Sequence, residues 1–182
     1  EEIWSRNFTN LFITPLKVSE IIAALTVTAL IRTLIGIVPA ILLATPLFSV
    51  SLFSLGPSLM ILLLSLYIFG MTLGLFVVAG LLRYGPAFEN VAWSSLFLLA
   101  PLGCIYYPLS ILPDWLQILA KALPLVYIFE EVRSILLNNI VNYSNIMTAL
   151  ALNSIYFLLS LFTFYKAFHE ARMKGTLINV GE

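Results

Sequence analysis

Charge is what this sequence has least of. Of its 182 residues only 10% are charged while 61% are hydrophobic, and the mean hydropathy is +1.04. Soluble globular domains carry about 25% charged residues, so this composition excludes an ordinary water-soluble domain and specifies a membrane chain. Nine basic residues balance nine acidic ones, which leaves no net field to attract nucleic acid. A single cysteine, Cys104, excludes a disulfide framework and a cysteine-built metal centre. It reads as a small apolar residue within a helix. The only histidine, His169, stands in KAFHEARMKG without a cluster of ligating neighbours, and no GxxxxGKS/T phosphate loop occurs. No catalytic residue, metal site or bound nucleotide is therefore expected in this chain. It opens EEIWSRNFTN, with neither Met nor signal-peptide pattern, and reads as starting partway through a longer protein.

What the chain has in quantity is long apolar runs. A bilayer core about 30 Å thick takes roughly 20 apolar residues of helix. Four segments meet that length, over about 20–46, 57–82, 90–108 and 146–165. FSVSLFSLGPS separates the first two through Ser, Gly56 and Pro57, and RYGPAFE separates the next two through Gly85, Pro86 and two charges. Beyond Glu20 at the edge of the first, the four segments hold no Asp or Glu, so they lack the proton relay of many pumps.

Lys and Arg fix an expected orientation. Arg6, Lys17, Arg83, Lys166, Arg172 and Lys174 fall on one side, and only Lys121 and Arg133 on the other. Both ends of the chain and the 83–89 loop are expected in the cytoplasm, and the 108–145 segment outside.

That outer segment is apolar yet broken, reading YYPLSILPDWLQILAKALPL over 106–125. Trp115, Leu116, Leu119 and Leu123 share one face at helical spacing, and Leu125, Phe129, Val132 and Leu136 share another after Pro124. Pro113 and Pro124 are placed to start each piece. Apolar helices of about 10–14 residues are too short to span. They lie on the outer leaflet or dip into it and return; the pattern leaves both open.

Arg32 is the one charge at depth, roughly 18 Å along the helix from Glu20. An arginine there faces the bundle interior or a cavity by default, contacting anionic cargo in the translocation path or clamping polar atoms of another span; the alternative is snorkelling to an interface, which is strained at this depth. Gly70 and Gly74 form a GxxxG pair suited to close helix packing, within the chain or between two copies. Trp4, Phe8, Leu11 and Phe12 make an apolar stripe before Pro15, suited to a membrane-surface anchor or to docking a cytosolic partner.

EEIWSRNFTNLFITPLKVSEII, RYGPAFENVAW, PLGCIYYPLSILPDWLQILAKALPLVYIFEEVRSIL and the tail ARMKGTLINVGE occur in that order. Together they resemble type-2 ABC exporter permeases, in particular the polysaccharide, lipo-oligosaccharide and drug exporter branches. The YP, LPxWLQ, LPL and ExxR elements carry most of the likeness. The resemblance implies an all-α integral membrane domain over 1–182, with two further N-terminal spans of a six-span domain apparently absent. It implies a cytoplasmic coupling segment over 1–19 that meets the ATPase through Glu2, Arg6, Asn7, Phe8 and Asn10. A second, smaller contact lies at 83–89, with Arg83 and Glu89. Residues 113–139 would be re-entrant helices gating the outer exit, marked by Pro108, Pro113, Trp115, Pro124, Glu130, Glu131 and Arg133, and 166–182 a cytoplasmic tail.

The implied function is the permease subunit of an ATP-driven exporter in the cell inner or plasma membrane. It would move a glycan, lipid-linked glycan or drug-like amphiphile by alternating access. ATP and Mg would be bound by a separate cytosolic ATPase, and a second permease copy would complete a homodimer. Two other classes remain, an ion-coupled secondary transporter and a non-transporting membrane scaffold. The first would be favoured by acidic or histidine residues inside the spans, which are lacking; the second by failure to associate with an ATPase.

Overall fold

Two glycines held in the left-handed half of backbone space bracket the central helix. Gly56 (φ 56°) and Gly85 (φ 77°) turn the chain where a side chain would be strained. Between them α2 runs Pro57–Tyr84, 28 residues opened by a proline at its first turn. The computed structural model describes residues 17–48 and 55–174. Glu2, Arg6, Asn7, Phe8 and Asn10 of the expected coupling segment lie outside the described residues, as does the end of the expected tail, 175–182.

The described residues are helical with no strand. α1 runs Val18–Phe48, with Glu20 accepting the Lys17 backbone N–H at 2.8 Å to cap its first turn. After α2 come α3 (Phe88–Leu102), a 3-10 turn (Leu109–Ile111), α4 (Asp114–Ala120), α5 (Pro124–Asn138) and α6 (Tyr143–Lys174). Three of these, over Ile22–Ala44, Pro57–Tyr84 and Tyr143–Met173, are long and apolar enough to cross a membrane.

The segment expected to span over 90–108 forms a shorter helix. α3 has 15 residues, roughly 22 Å, and stops six positions before Pro108. Pro101 lies in its last turn, and Cys104 follows with a left-handed φ of 53°. Residues 103–108 then leave the helix as a packed strap. Apolar composition alone does not separate such a strap from helix.

The longest seam joins α2 to α6. Leu62, Ser65, Phe69, Thr72, Leu75 and Ala79 are buried along α2, and Ile146, Ala149, Asn153, Ser160, Phe164, Ala167 and Ala171 along α6. Steps of three and four residues make this a heptad-like seam, with small side chains letting the backbones approach. Leu62 clusters with Ala149, Ser65 bonds Asn153, and Leu75 and Ala79 cluster with Phe164, Ala167 and Phe168. Early residues pair with early and late with late, so α2 and α6 run parallel. α5 lies along the N-terminal half of α6, its start near Tyr156 and its end near Asn142, and shares with α2 and α6 a core of Leu55, Leu62, Ile128, Ile135 and Ala149.

α3 meets the far end of α2 at one close point. Gly80 is buried, and any Cβ there would collide with the Phe88 ring. Further along, the two helices diverge.

Candidate functional site

The hairpin formed by α4 and α5 holds the densest polar network among the described residues, and two adjacent carboxylates organise it. Successive residues on a helix point about 100° apart, so Glu130 and Glu131 reach different neighbours. Glu130 Oε1 accepts the Leu109 backbone N–H at 2.7 Å and Arg133 Nη1 at 2.8 Å. Arg133 Nη2 donates to the Cys104 carbonyl at 3.1 Å. Glu130 and Arg133 thus clasp the strap leaving α3. Glu131 is fully enclosed, at 0% exposure. Its Oε1 accepts the Asn142 backbone N–H at 2.7 Å, and its Oε2 accepts Asn145 Nδ2 at 3.3 Å. Burying a carboxylate is costly unless donors meet it. Here two donors and the positive end of the α6 dipole do so.

α5 ends at Asn139 in the left-handed conformation, with Ser134 Oγ donating to the Ile140 carbonyl at 3.0 Å to fix the turn into α6. The other end of the hairpin is tied as well. Tyr156 of α6 donates to the Ala122 carbonyl at 3.0 Å, between α4 and α5. Tyr107 donates to the Pro101 carbonyl at 2.8 Å, and Gln117 Nε2 to the Leu112 carbonyl at 2.8 Å.

Of the expected hairpin residues, Pro108 precedes the 3-10 turn, Pro113 precedes α4 and buried Pro124 opens α5. The two apolar faces agree with expectation in part. On α5 Leu125 is buried and Val132 and Leu136 pack against the core as expected, and Pro124, Ile128, Glu131 and Ile135 form a further, deeper stripe beside them. A carboxylate on the buried stripe hides it from an apolar pattern. On α4 the inward residues are Leu116 and Ala120, with Leu112 and Leu123 beside them. Trp115 and Leu119 point away and are exposed.

The remaining expected residues lie elsewhere. Arg83 ends α2 with its guanidinium 5.8 Å from the centre of the Tyr84 ring. Glu89 opens α3 and accepts Trp93 Nε1 at 3.3 Å. Both flank the same turn. Arg32 lies mid-way along α1 with its side chain exposed. Gly70 and Gly74 are exposed, and no described atom beyond their own stretch of helix stands within 4 Å of where a Cβ would be added. They line a groove of about 580 Å³ between α2 and α3, together with Phe76, Val77 and Trp93. No described helix packs on them.

The α2–α6 polar contact was not anticipated from sequence. Asn153 Nδ2 donates to the Ser65 carbonyl at 2.9 Å and to Ser65 Oγ at 2.7 Å, both residues being buried. Asn153 Oδ1 stays without a partner. The available signal was spacing: Ser65 and Thr72, and Asn153 and Ser160, are each seven apart in otherwise apolar runs. Tyr67 also donates to the Thr26 carbonyl and ties α1 to α2.

Comparison with curated proteins and with solved structures gave no match. The family model for the ABC-2 type transporter matches residues 2–137. That interval takes in α1, α2, α3, the strap with its Glu130–Arg133 clasp and nearly all of α5. The match covers well over half of the 182 residues, and the chain therefore belongs to the ABC-2 type transporter family, as a multi-pass membrane permease component.

Proposed function

We propose that this chain is the permease of an ATP-driven exporter, passing a glycan, lipid-linked glycan or drug-like amphiphile outward by alternating access. The observation that carries this is the family match over 2–137, which includes both the segment assigned to ATPase coupling and the polar-clasped hairpin. In this reading a cytosolic ATPase contacts Glu2, Arg6, Asn7, Phe8 and Asn10, and also the turn bearing Arg83 and Glu89. ATP and Mg belong to that subunit. Two permease copies assemble, and the open Gly70–Gly74 face of α2 admits a close helix neighbour. Arg32 lies along the path of the cargo.

Four crossings fit the chain better than three. α2 and α6 run parallel, so both start from the same side, and residues 85–142 have to return across the membrane between them. α3 supplies roughly 22 Å of that return, and the strap and hairpin complete it. α4, at roughly 10 Å, and α5, at roughly 22 Å, are too short to cross alone, which supports a re-entrant hairpin. The basic residues Arg83, Lys166 and Arg172 gather at the end of the α2–α6 pair away from the hairpin, which favours a cytoplasmic location for that end.

Co-purification tests the reading. The chain is expected to retain a soluble ABC ATPase from its own cell extract, and Arg6→Glu or Phe8→Ala to lose it. No retained ATPase with the unaltered chain would overturn the assignment.

A further inference from the structure

The side of α6 turned away from α2 changes its chemistry at one level. From Ile146 to Tyr165 the helix carries no charged residue. That run is about 20 residues or roughly 30 Å long, the thickness of a bilayer core. Within it Ile155, Leu158 and Phe162 lie off the seam and are exposed. One turn further on, the same side carries Tyr165, Lys166, His169 and Arg172, all exposed. Steps of three and four residues join the two groups into one stripe. At about 100° per residue the last four cover roughly 120° of arc, with Lys166 and Arg172 at its edges and Tyr165 and His169 between them.

Position and charge together identify the ligand. A headgroup layer is roughly 5–8 Å deep. Lys166 and His169 fall within about 6 Å of Tyr165 along the axis, and the long Arg172 side chain reaches back from about 10 Å. Tyrosine is a usual residue of that boundary. All three nitrogen side chains donate hydrogen bonds. Arg83 adds a cation at the same end, because Ala79 of α2 clusters with Ala167 and α2 runs parallel to α6. Glu170, half-buried beside the stripe, is the one acidic residue of α6. A zwitterionic headgroup brings its own cation and leaves this excess unmet, whereas an anionic one meets it. A soluble partner would have to enter the headgroup layer to touch Lys166, one turn from exposed Phe162; a lipid phosphate already stands there.

We propose that Tyr165, Lys166, His169 and Arg172 bind the phosphate of an anionic phospholipid, whose acyl chains run along Phe162, Leu158 and Ile155. The site belongs to the end of α6 away from the hairpin. It depends neither on the direction of transport nor on an ATPase, so it stands or falls separately from the exporter reading.

A tryptophan beside the site reads its lipid preference. Phe162→Trp, with Trp4, Trp93 and Trp115 each changed to Phe, gives a single reporter and leaves the four site residues in place. Its fluorescence is followed in bilayers mixing phosphatidylglycerol with phosphatidylcholine, with bromine on the acyl chains of one lipid or the other. Brominated phosphatidylglycerol is expected to quench beyond its bulk share, with an association about fivefold or more above that of phosphatidylcholine. Lys166→Gln should lower that ratio, Lys166→Gln with Arg172→Gln should bring it close to one, and Lys166→Arg should preserve it. Continued quenching of the double variant by brominated phosphatidylcholine is expected, and shows that α6 is still inserted. Equal quenching by the two lipids before any site residue is changed would overturn the proposal. So would a preference that survives both glutamine changes, since other residues would then create it. Absence of quenching by either lipid would show protein covering the stripe, a second copy included, and would overturn it equally.

Discussion

Glu131 accepts two neutral donors, the Asn142 backbone N–H and the Asn145 amide. Its site needs acceptors more than it needs charge. Glutamine offers one acceptor to Asn142, and an amide flip of Asn145 lets the new Nε2 be received, so both contacts survive. Glu131→Gln is expected to cost no more than about 1 kcal/mol, chiefly from the lost interaction with the α6 dipole. Glu131→Leu strands a buried backbone N–H and an amide, at about 1–3 kcal/mol each. Thermal unfolding in detergent separates the two: equal losses for Gln and Leu would show that the charge itself holds α6. This residue was legible in the sequence only as part of an ExxR element. Its burial was not, because a carboxylate invites assignment to a wet surface, and its partners lie 11 and 14 positions ahead. Glu130 is similar, since one of its partners is the backbone of Leu109.

Between elements, legibility followed the kind of signal each one carries. Helix starts marked by Gly-Pro were readable to within a few residues, as at Pro57 and Phe88, because the turn chemistry is local. The end of α3 was not, since residues 103–108 are as apolar as the helix they leave. The faces of α4 and α5 are legible only in part: Leu116, Leu123, Leu125, Val132 and Leu136 pack inward as their spacing predicts, but Trp115 and Leu119 are exposed, because a short helix apolar all round has no polar face to contrast. Gly80, a small residue further along the same run as Gly70 and Gly74, is the one of the three at which a close approach occurs, and the α2–α3 junction there is readily tested. Gly80→Ala forces the Phe88 ring aside and should cost about 1–3 kcal/mol. Phe88→Leu removes the obstruction, so the double variant should be more stable than the sum of the single losses implies. Additive losses in a denaturation series would place the contact elsewhere.

For the whole molecule, direction matters more than count. Parallel α2 and α6 require that Ala87, just before α3, and Val141, just before α6, lie on opposite sides of the membrane. Both are exposed. In intact cells Val141→Cys should react with an impermeant maleimide, and Ala87→Cys only after permeabilisation. Reaction of both from one side would exclude a return crossing between them. Composition alone established a membrane chain, and the resemblance supplied its class. The parallel pairing had to come from contacts such as Ser65 with Asn153, which no single segment encodes.

The joints described for α2, α3, α5 and α6 also have a mechanical meaning. The long seam makes α2 and α6 one rigid body, α3 a second and α5 a third. Glu131 pins the third to the first, the Glu130–Arg133 clasp ties it to the strap of the second, and Gly80 with Phe88 pins the second to the first. Three bodies linked pairwise make a triangle, and a triangle has no internal freedom. The hairpin's tilt against α2 and α6 is thus opposed at all three joints, and the strap is held to α5 both by the clasp and by the packing of Cys104 on Val126.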